Sequence, residues 1–267
     1  MSAAASAADG PAVTALGRPR VHLRRTDPTN ERARRLAIDG AGSGTLVTAS
    51  EQSAGRGRQG RSWSAPAGRS ILMSLILRSP PRLLPLIAAI AVCDVAGEHA
   101  AIKWPNDVVV AAPDGELAKL AGILIEARPQ QDWAVLGIGV NVAVELDQLP
   151  VELRPGKRRT GAGTTDGGGA QARGLPAATM GLEPDDVEPT LARLLGTLEL
   201  RLAQGPEQTL AAWRERDALR GREIEWSGGR GRADGIDGDG RLVVALDGGG
   251  HTTVGAGEVH LQRVGLL

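Results

Sequence analysis

Three arginines, Arg56, Arg58 and Arg61, alternate with three glycines, Gly55, Gly57 and Gly60, inside the stretch 51–63, Glu-Gln-Ser-Ala-Gly-Arg-Gly-Arg-Gln-Gly-Arg-Ser-Trp. Guanidinium groups can grip phosphate or carboxylate in bidentate fashion. Glycines let a backbone close around a ligand and open again. A cationic, pliable loop of this kind suits an anion that must be enclosed and later released. Residues 55–60 are also a literal G-x-G-x-x-G match, and a strand-like run precedes them. The residues that follow, 62–68, contain Pro66 and no helical period. No helix N-terminus is therefore expected to receive a pyrophosphate, and the dinucleotide reading is set aside. At this level a solvated Arg/Gly segment touching nucleic acid stays open as an alternative.

Three further clusters carry polar groups inside apolar surroundings. Lys103-Trp-Pro-Asn-Asp107 places a lysine, an asparagine and an aspartate around a proline that cannot continue a ladder, between the apolar Ala101-Ile102 and Val108-Val109-Val110. A surface turn would look the same. Lys119-Leu-Ala-Gly-Ile-Leu-Ile-Glu126 reads as an apolar strand that starts on a lysine, and its Gly122 removes a side chain where something can approach closely. Gly137-Ile-Gly139-Val-Asn141-Val142 clears one face of a strand and then presents Asn141. That suits the floor of a ligand pocket; a bulge or tight packing is the plainer alternative.

Elements that must hold these groups follow from periodicity and turn residues. Residues 31–38 read as a helix capped by Thr29-Asn30, and 83–97 as an apolar helix ending on Gly97. Residues 45–49, 70–78, 100–104, 107–111, 120–127 and 133–142 read as strands, with Pro113-Asp114-Gly115 a hairpin turn. Residues 185–202 and 206–219 read as helices with leucine stripes. From Arg222 the texture changes to short β runs (223–226, 241–246, 251–254 and 259–263) between Gly/Asp turns, which suggests a small barrel. The expected organisation is a tail over 1–17, a mixed α/β domain over 18–220 and a small β domain over 221–267. Residues 154–174, rich in Gly and Arg, read as a loop.

The composition narrows the function classes. The chain has 267 residues, 42% of them hydrophobic, with 37 Gly, five Trp and neither Phe nor Tyr. It carries 31 basic and 31 acidic side chains, so a globally basic nucleic-acid binder is disfavoured. A single cysteine, Cys93, fits a reducing, cytoplasmic setting. The four histidines are scattered without zinc-ligand spacing, so no metal is expected on His or Cys. The N-terminus lacks the charged and long apolar regions of a signal peptide, and no apolar run approaches the ~20 residues that span a membrane.

Taken together, the four clusters resemble the biotin protein ligases in order and spacing, and the resemblance runs from about Thr26 to the C-terminus. It implies a mixed β-sheet catalytic domain of the biotin/lipoate ligase type with helices packed on it, followed by an SH3-like barrel. It implies a ligase without the DNA-binding winged helix of the bifunctional members. Such enzymes join biotin and ATP into biotinyl-5′-adenylate, release pyrophosphate, and pass biotin to a lysine of a carboxylase carrier domain. By resemblance, biotin would meet Thr29, Asn30, Gln52, Gly55, Arg56, Gly57, Arg58, Lys119 and Gly122. The nucleotide would meet Arg58, Arg61, Trp63, Lys103, Asn106 and Asn141, and Mg²⁺ would accompany ATP. Lys119, Arg58, Lys103 and Asp107 would be catalytic, with Lys119 bridging the biotin carboxylate and the phosphate and Asp107 positioning or deprotonating the carrier lysine. No DNA and no membrane are expected as partners, and the state is a monomer or a ligand-dependent homodimer.

One departure stands out. The family has a serine hydroxyl where this chain has Pro28, in Asp27-Pro28-Thr29-Asn30. Losing one hydrogen bond to the biotin ureido ring would cost ~1 kcal/mol. Lipoate ligases and octanoyl transferases, related in fold, are the nearest alternative, but they carry a different Arg/Gly motif with a following His that is absent here.

Overall fold

The computed structural model describes residues 16–112, 114–154, 175–255, 257 and 259–261. Most of the expected tail, residues 155–174 of the Gly/Arg-rich stretch, and Pro113 of the expected turn lie outside them. In chain order the elements are β1 (Arg20–Leu23), α1 (Thr29–Ile38), β2 (Leu46–Ala49), β3 (Gly55–Arg56), β4 (Ser62–Trp63), β5 (Ser70–Arg78), α2 (Leu84–Ala96), β6 (Ala101–Lys103), β7 (Asp107–Ala111), β8 (Leu117–Arg128) and β9 (Trp133–Asn141). They continue with α3 (Val187–Leu202), α4 (Pro206–Glu215), β10 (Glu223–Trp226), β11 (Gly229–Ile236), β12 (Leu242–Ala245), β13 (His251–Val254) and β14 (His260–Leu261).

Seven strands form one mixed sheet in the order β1-β2-β5-β9-β8-β7-β6. Only the β1–β2 pair is parallel. Side chains alternate between its faces. On one face Ile71, Met73, Leu75 and Leu77 of β5 join Leu136, Ile138 and Val140 of β9 in a large core with α2 and α3. Helix α2 is apolar nearly all round because it is covered by the sheet, α3 and α4. It stops at Gly97, whose φ of 102° suits glycine and whose N–H donates to the Cys93 carbonyl. Burial pushes the Cys93 thiol up to about 12, which fits a small apolar core residue. On the opposite face a smaller core joins Ile76, Trp133 and Val135 to Ala33 and Ala37 of α1. Helix α1 covers only that end of the face, and the remainder is left for the site.

The C-terminal strands form a second, antiparallel sheet in the order β13-β12-β11-β10-β14. Its inner residues Ile224, Ile236, Leu242 and Val244 belong to the same core as Leu83, Trp104, Leu210 and Trp213. The change of texture at Arg222 therefore marks a change of sheet, while the apolar interior runs on across it.

Several expectations needed correction. Thr29 and Asn30 do not cap α1; the cap position is Pro28, with no side-chain cap bond, and both residues lie buried in the first turn. Their polar groups are used by the site instead. The basic loop is not featureless, because β3 and β4 pair as a hairpin around a 3₁₀ turn at Arg58–Gly60. No α-helix follows it. β8 starts at Leu117, so Lys119 is its third residue. α3 begins at Val187 after a 3₁₀ turn, and α4 ends at Glu215. β1 and β11 were not anticipated. β1 is a short edge strand with three of four residues exposed, so it has no apolar alternation. β11 reads as a loop because its inward positions include Gly231, where a Cβ would lie 2.4 Å from the Ala245 carbonyl oxygen. That close approach requires a glycine and erases the usual β signature.

Candidate active site

Where α1 leaves the sheet uncovered, the β3–β4 hairpin closes over the strands, and a cavity of about 470 Å³ lies between them. Its floor is nearly free of side chains. Gly122 of β8 and Gly139 of β9 are direct cross-strand partners. The Trp63 indole lies on this pair: a Cβ on Gly139 would meet Trp63 Cε2 at 2.8 Å, and one on Gly122 would meet Trp63 Cζ3 at 3.1 Å. The indole N–H is buried and has no hydrogen-bond partner among the described residues.

Gly137 serves a different purpose from the one its spacing suggests. The Asn30 side chain occupies its space, with Oδ1 2.2 Å from where a Cβ would stand. Asn30 cannot give way easily, because its Nδ2 donates to the Leu124 carbonyl at 3.3 Å and its Oδ1 bonds Ser74 Oγ at 2.6 Å. Gly137→Ala is expected to lower unfolding free energy by about 1–3 kcal/mol through overpacking, read as a lower denaturation midpoint in urea.

At the same end, Thr29 N–H donates to Gln52 Oε1 at 2.7 Å, and the Thr29 hydroxyl lies 3.3 Å from that oxygen. Ser74 Oγ lies 2.8 Å from Thr29 Oγ1. This buried network fixes a carboxamide and a hydroxyl at the cavity wall. Ser74 was not singled out in the sequence, where a serine within Ser-Ile-Leu-Met-Ser-Leu-Ile-Leu-Arg looks like a neutral strand residue. Its signal was a polar residue at an inward position of a buried strand.

The cationic residues approach from the other side. Lys119 and Gly122 are three apart, so a regular strand would aim them at opposite faces. A β-bulge prevents this: Ala121 pairs with Val108 and Lys119 with Val109, leaving Leu120 as the extra residue. Leu120 and Ala121 both enter the large core, and Lys119 turns toward Gly122, its Nζ 3.2 Å from that glycine's Cβ position. Lys119 Nζ forms an ion pair with Asp107 Oδ1 at 2.6 Å and sits 5.6 Å from the Trp63 ring centroid.

Asn106 Nδ2 donates to the Ile123 carbonyl, and Asn106 Oδ1 accepts from Arg58 Nη1 at 3.4 Å. Arg58 also reaches the Gly257 carbonyl at 3.4 Å, and burial lowers its pKa from the ordinary arginine value. Lys103 lies behind this wall and does not line the cavity. Its ammonium donates to the Val259 carbonyl at 2.7 Å, and burial lowers its pKa. Arg56, Gly57 and Arg61 line the cavity; Gly55, also outside the lining, packs its Cα side against the Trp63 carbonyl. Asn141 is buried at the cavity edge and donates to the Ala178 carbonyl at 2.9 Å.

The apolar wall formed by Leu149, Leu153, Leu175 and Ala177 was missed. These residues flank the 155–174 stretch, whose composition drew attention away from its ends. Among the described residues no group of three His, Cys, Asp or Glu is placed to hold a metal ion. No helix among them is long and apolar enough to cross a membrane.

Residues 22–142 match the family model described as the biotin/lipoate A/B protein ligase family. A protein of Mycobacterium tuberculosis named biotin–[acetyl-CoA-carboxylase] ligase is 35% identical over 261 residues, covering 89% of this chain and 87% of that protein. The bifunctional ligase/repressor BirA of Bacillus spizizenii is 41% identical over 138 residues, covering 47% of this chain and 41% of that protein. This chain thus spans less than half the length of that relative. Among solved structures, biotin protein ligase from Aquifex aeolicus, in complex with biotin and ATP, superposes with a TM-score of 0.70 at 22% identity, covering 92% of this chain and 99% of that one. With 35% identity across most of both chains and the same fold, the chain belongs to the biotin protein ligases of the biotin/lipoate A/B family.

Proposed function

We propose that this chain activates biotin with ATP to biotinyl-5′-adenylate and pyrophosphate, then transfers biotin to a lysine of a biotin carboxyl carrier domain. The observation that carries this reading is the position of Lys119. A bulged strand aims its ammonium into an enclosed cavity, between the Thr29–Gln52 wall and the Arg58–Asn106 wall. Adenylation brings a carboxylate and a polyphosphate together, and negative charge builds on the phosphoryl oxygens as they react. A fixed cation at the meeting point lowers both costs. Before substrate arrives, Asp107 answers the Lys119 charge. An incoming carboxylate or phosphate competes for that ammonium.

The ureido end of biotin is assigned to Thr29, Asn30 and Gln52, with the backbone of Arg56 and Gly57 near it. Trp63 and the Gly122–Gly139 floor offer an apolar slot for the bicyclic ring, its chain or the adenine. The nucleotide is assigned to Arg58, Arg61, Asn106 and Asn141. Lys103 is assigned a supporting place behind the phosphates. Mg²⁺ would enter with ATP and reduce the charge on its phosphates. Asp107 is the carboxylate in the described lining and is held by Lys119, so the phosphates and water suit that ion better than a protein cage. Once adenylate forms, the hairpin over the cavity shields the mixed anhydride from water, and Asp107 can orient the carrier amine.

We read 18–220 as the catalytic unit and 221–267, the region that holds the second sheet, as an SH3-like domain. The test is pyrophosphate release with ATP and biotin, with lipoate and octanoate in parallel. Release with biotin is the expected result, and release with lipoate alone would overturn the reading.

A further inference from the structure

Ser74 sits beneath the cavity wall with 0% of its surface exposed, and it does not line the cavity. Its hydroxyl has one proton and two short contacts, Asn30 Oδ1 at 2.6 Å and Thr29 Oγ1 at 2.8 Å. Proton bookkeeping resolves which way each bond runs. Asn30 Nδ2 donates to the Leu124 carbonyl, so Asn30 Oδ1 faces Ser74 and can only accept. The Ser74 proton therefore goes to Asn30. The Thr29 hydroxyl also has one proton and two oxygen neighbours, Ser74 Oγ at 2.8 Å and Gln52 Oε1 at 3.3 Å. The shorter contact takes it, because two oxygens at 2.8 Å without a proton between them would repel more strongly than two at 3.3 Å. With its proton turned inward, Thr29 Oγ1 shows the cavity only lone pairs. Gln52 Oε1 already accepts the Thr29 N–H, so Gln52 has its Nε2 donors left for the cavity.

We propose that Ser74 is a positioning residue that fixes the hydrogen-bond polarity of the ligand wall. Through it, Thr29 Oγ1 is a committed acceptor beside the committed donors of Gln52. An acceptor next to a donor is the complement of a cyclic urea edge, which offers an N–H next to a C=O. Committing these groups before binding removes the cost of reorienting them. It also addresses the position of Pro28, which has neither a hydroxyl nor an N–H to offer the same ring: the pair that remains is held in one polarity. This rests on the biotin reading of the site.

The test compares Ser74→Ala with wild type, alone and in a Thr29→Val background, by initial rates of pyrophosphate release. Ser74→Ala should raise the KM for biotin roughly five- to tenfold, the size of one hydrogen bond, while kcat and the KM for ATP stay within about twofold. In the Thr29→Val background the same change should have almost no further effect on the biotin KM, since Ser74 acts through that hydroxyl. Ser74→Cys keeps the volume with a far weaker donor, and it should match Ser74→Ala even if the alanine variant folds poorly. An unchanged biotin KM in Ser74→Cys, or an equal rise in the KM for ATP, overturns the proposal while the biotin reading stands. Wild-type protein that releases no pyrophosphate with biotin removes that reading and the proposal together.

Discussion

Lys119→Ala is expected to lower the rate of adenylate formation by roughly two to three orders of magnitude, as loss of one preorganised contact to developing charge does elsewhere. The effect is larger than removal of a cation alone. The variant leaves Asp107, with only 15% of its side chain exposed, facing the cavity without its partner. A carboxylate and a triphosphate would then meet an uncompensated carboxylate at the point where they must react. The fold should survive, because Lys119 is outside the apolar core and its direction is set by the main chain. Single-turnover pyrophosphate release, together with an unchanged circular dichroism spectrum, checks both halves. Near-normal turnover would take Lys119 out of the reaction. Lys119→Arg separates charge from shape: a planar guanidinium is a poor substitute for a compact ammonium at a crowded point, so it should recover only part of the loss.

The largest effect on stability is expected from Trp104→Ala. Trp104 is 3% exposed, lies in the turn between β6 and β7, and packs in the core that the two sheets share. Its indole N–H donates to the Gly240 carbonyl at 3.1 Å. Removing a buried indole costs about 3–5 kcal/mol, a large part of the roughly 5–15 kcal/mol that holds a domain folded. The Gly240 carbonyl also loses its donor. Urea denaturation should show the shift, and Trp104→Phe, which keeps a ring without the N–H, should fall between. A loss below about 1 kcal/mol would show that the sheets do not depend on a common interior. Because Lys103 and Asn106 flank Trp104, the folded fraction of the alanine variant should also turn over more slowly.

Much of this arrangement was legible in the amino-acid order. The apolar runs of β5 and β9 declared themselves because both faces are covered, and α2 did so because it is buried nearly all round. The four polar clusters were found because each interrupts an apolar context. What was not legible depended on groups brought together from far along the chain. Ser74 acquires a role only when α1 places Thr29 and Asn30 against β5. Gly137 reads as an opening in the sequence, and only the contact with Asn30 shows that it is filled. β11 was hidden because the approach of β12 demanded a glycine where a strand usually shows a branched residue. The tie from Lys103 of β6 to the carbonyl of Val259, the residue just before β14, links the two sheets, and no local pattern announces it.

The extra residue at position 120 has a consequence for how this site can change. In a regular strand, the direction of a side chain and the packing of its neighbours are set by one alternation, so redirecting one residue disturbs the others. Here the insertion uncouples them. Leu120 and Ala121 anchor the strand from below, and position 119 projects above it whatever it carries. The locus behaves as a fixed mount: length, charge or basicity of the group there can drift or be redesigned while the interior stays intact. A single deletion at 120 would leave Lys119 two residues from Gly122 and still on its face, so the ammonium would keep its direction while the core would lose the Leu120 side chain.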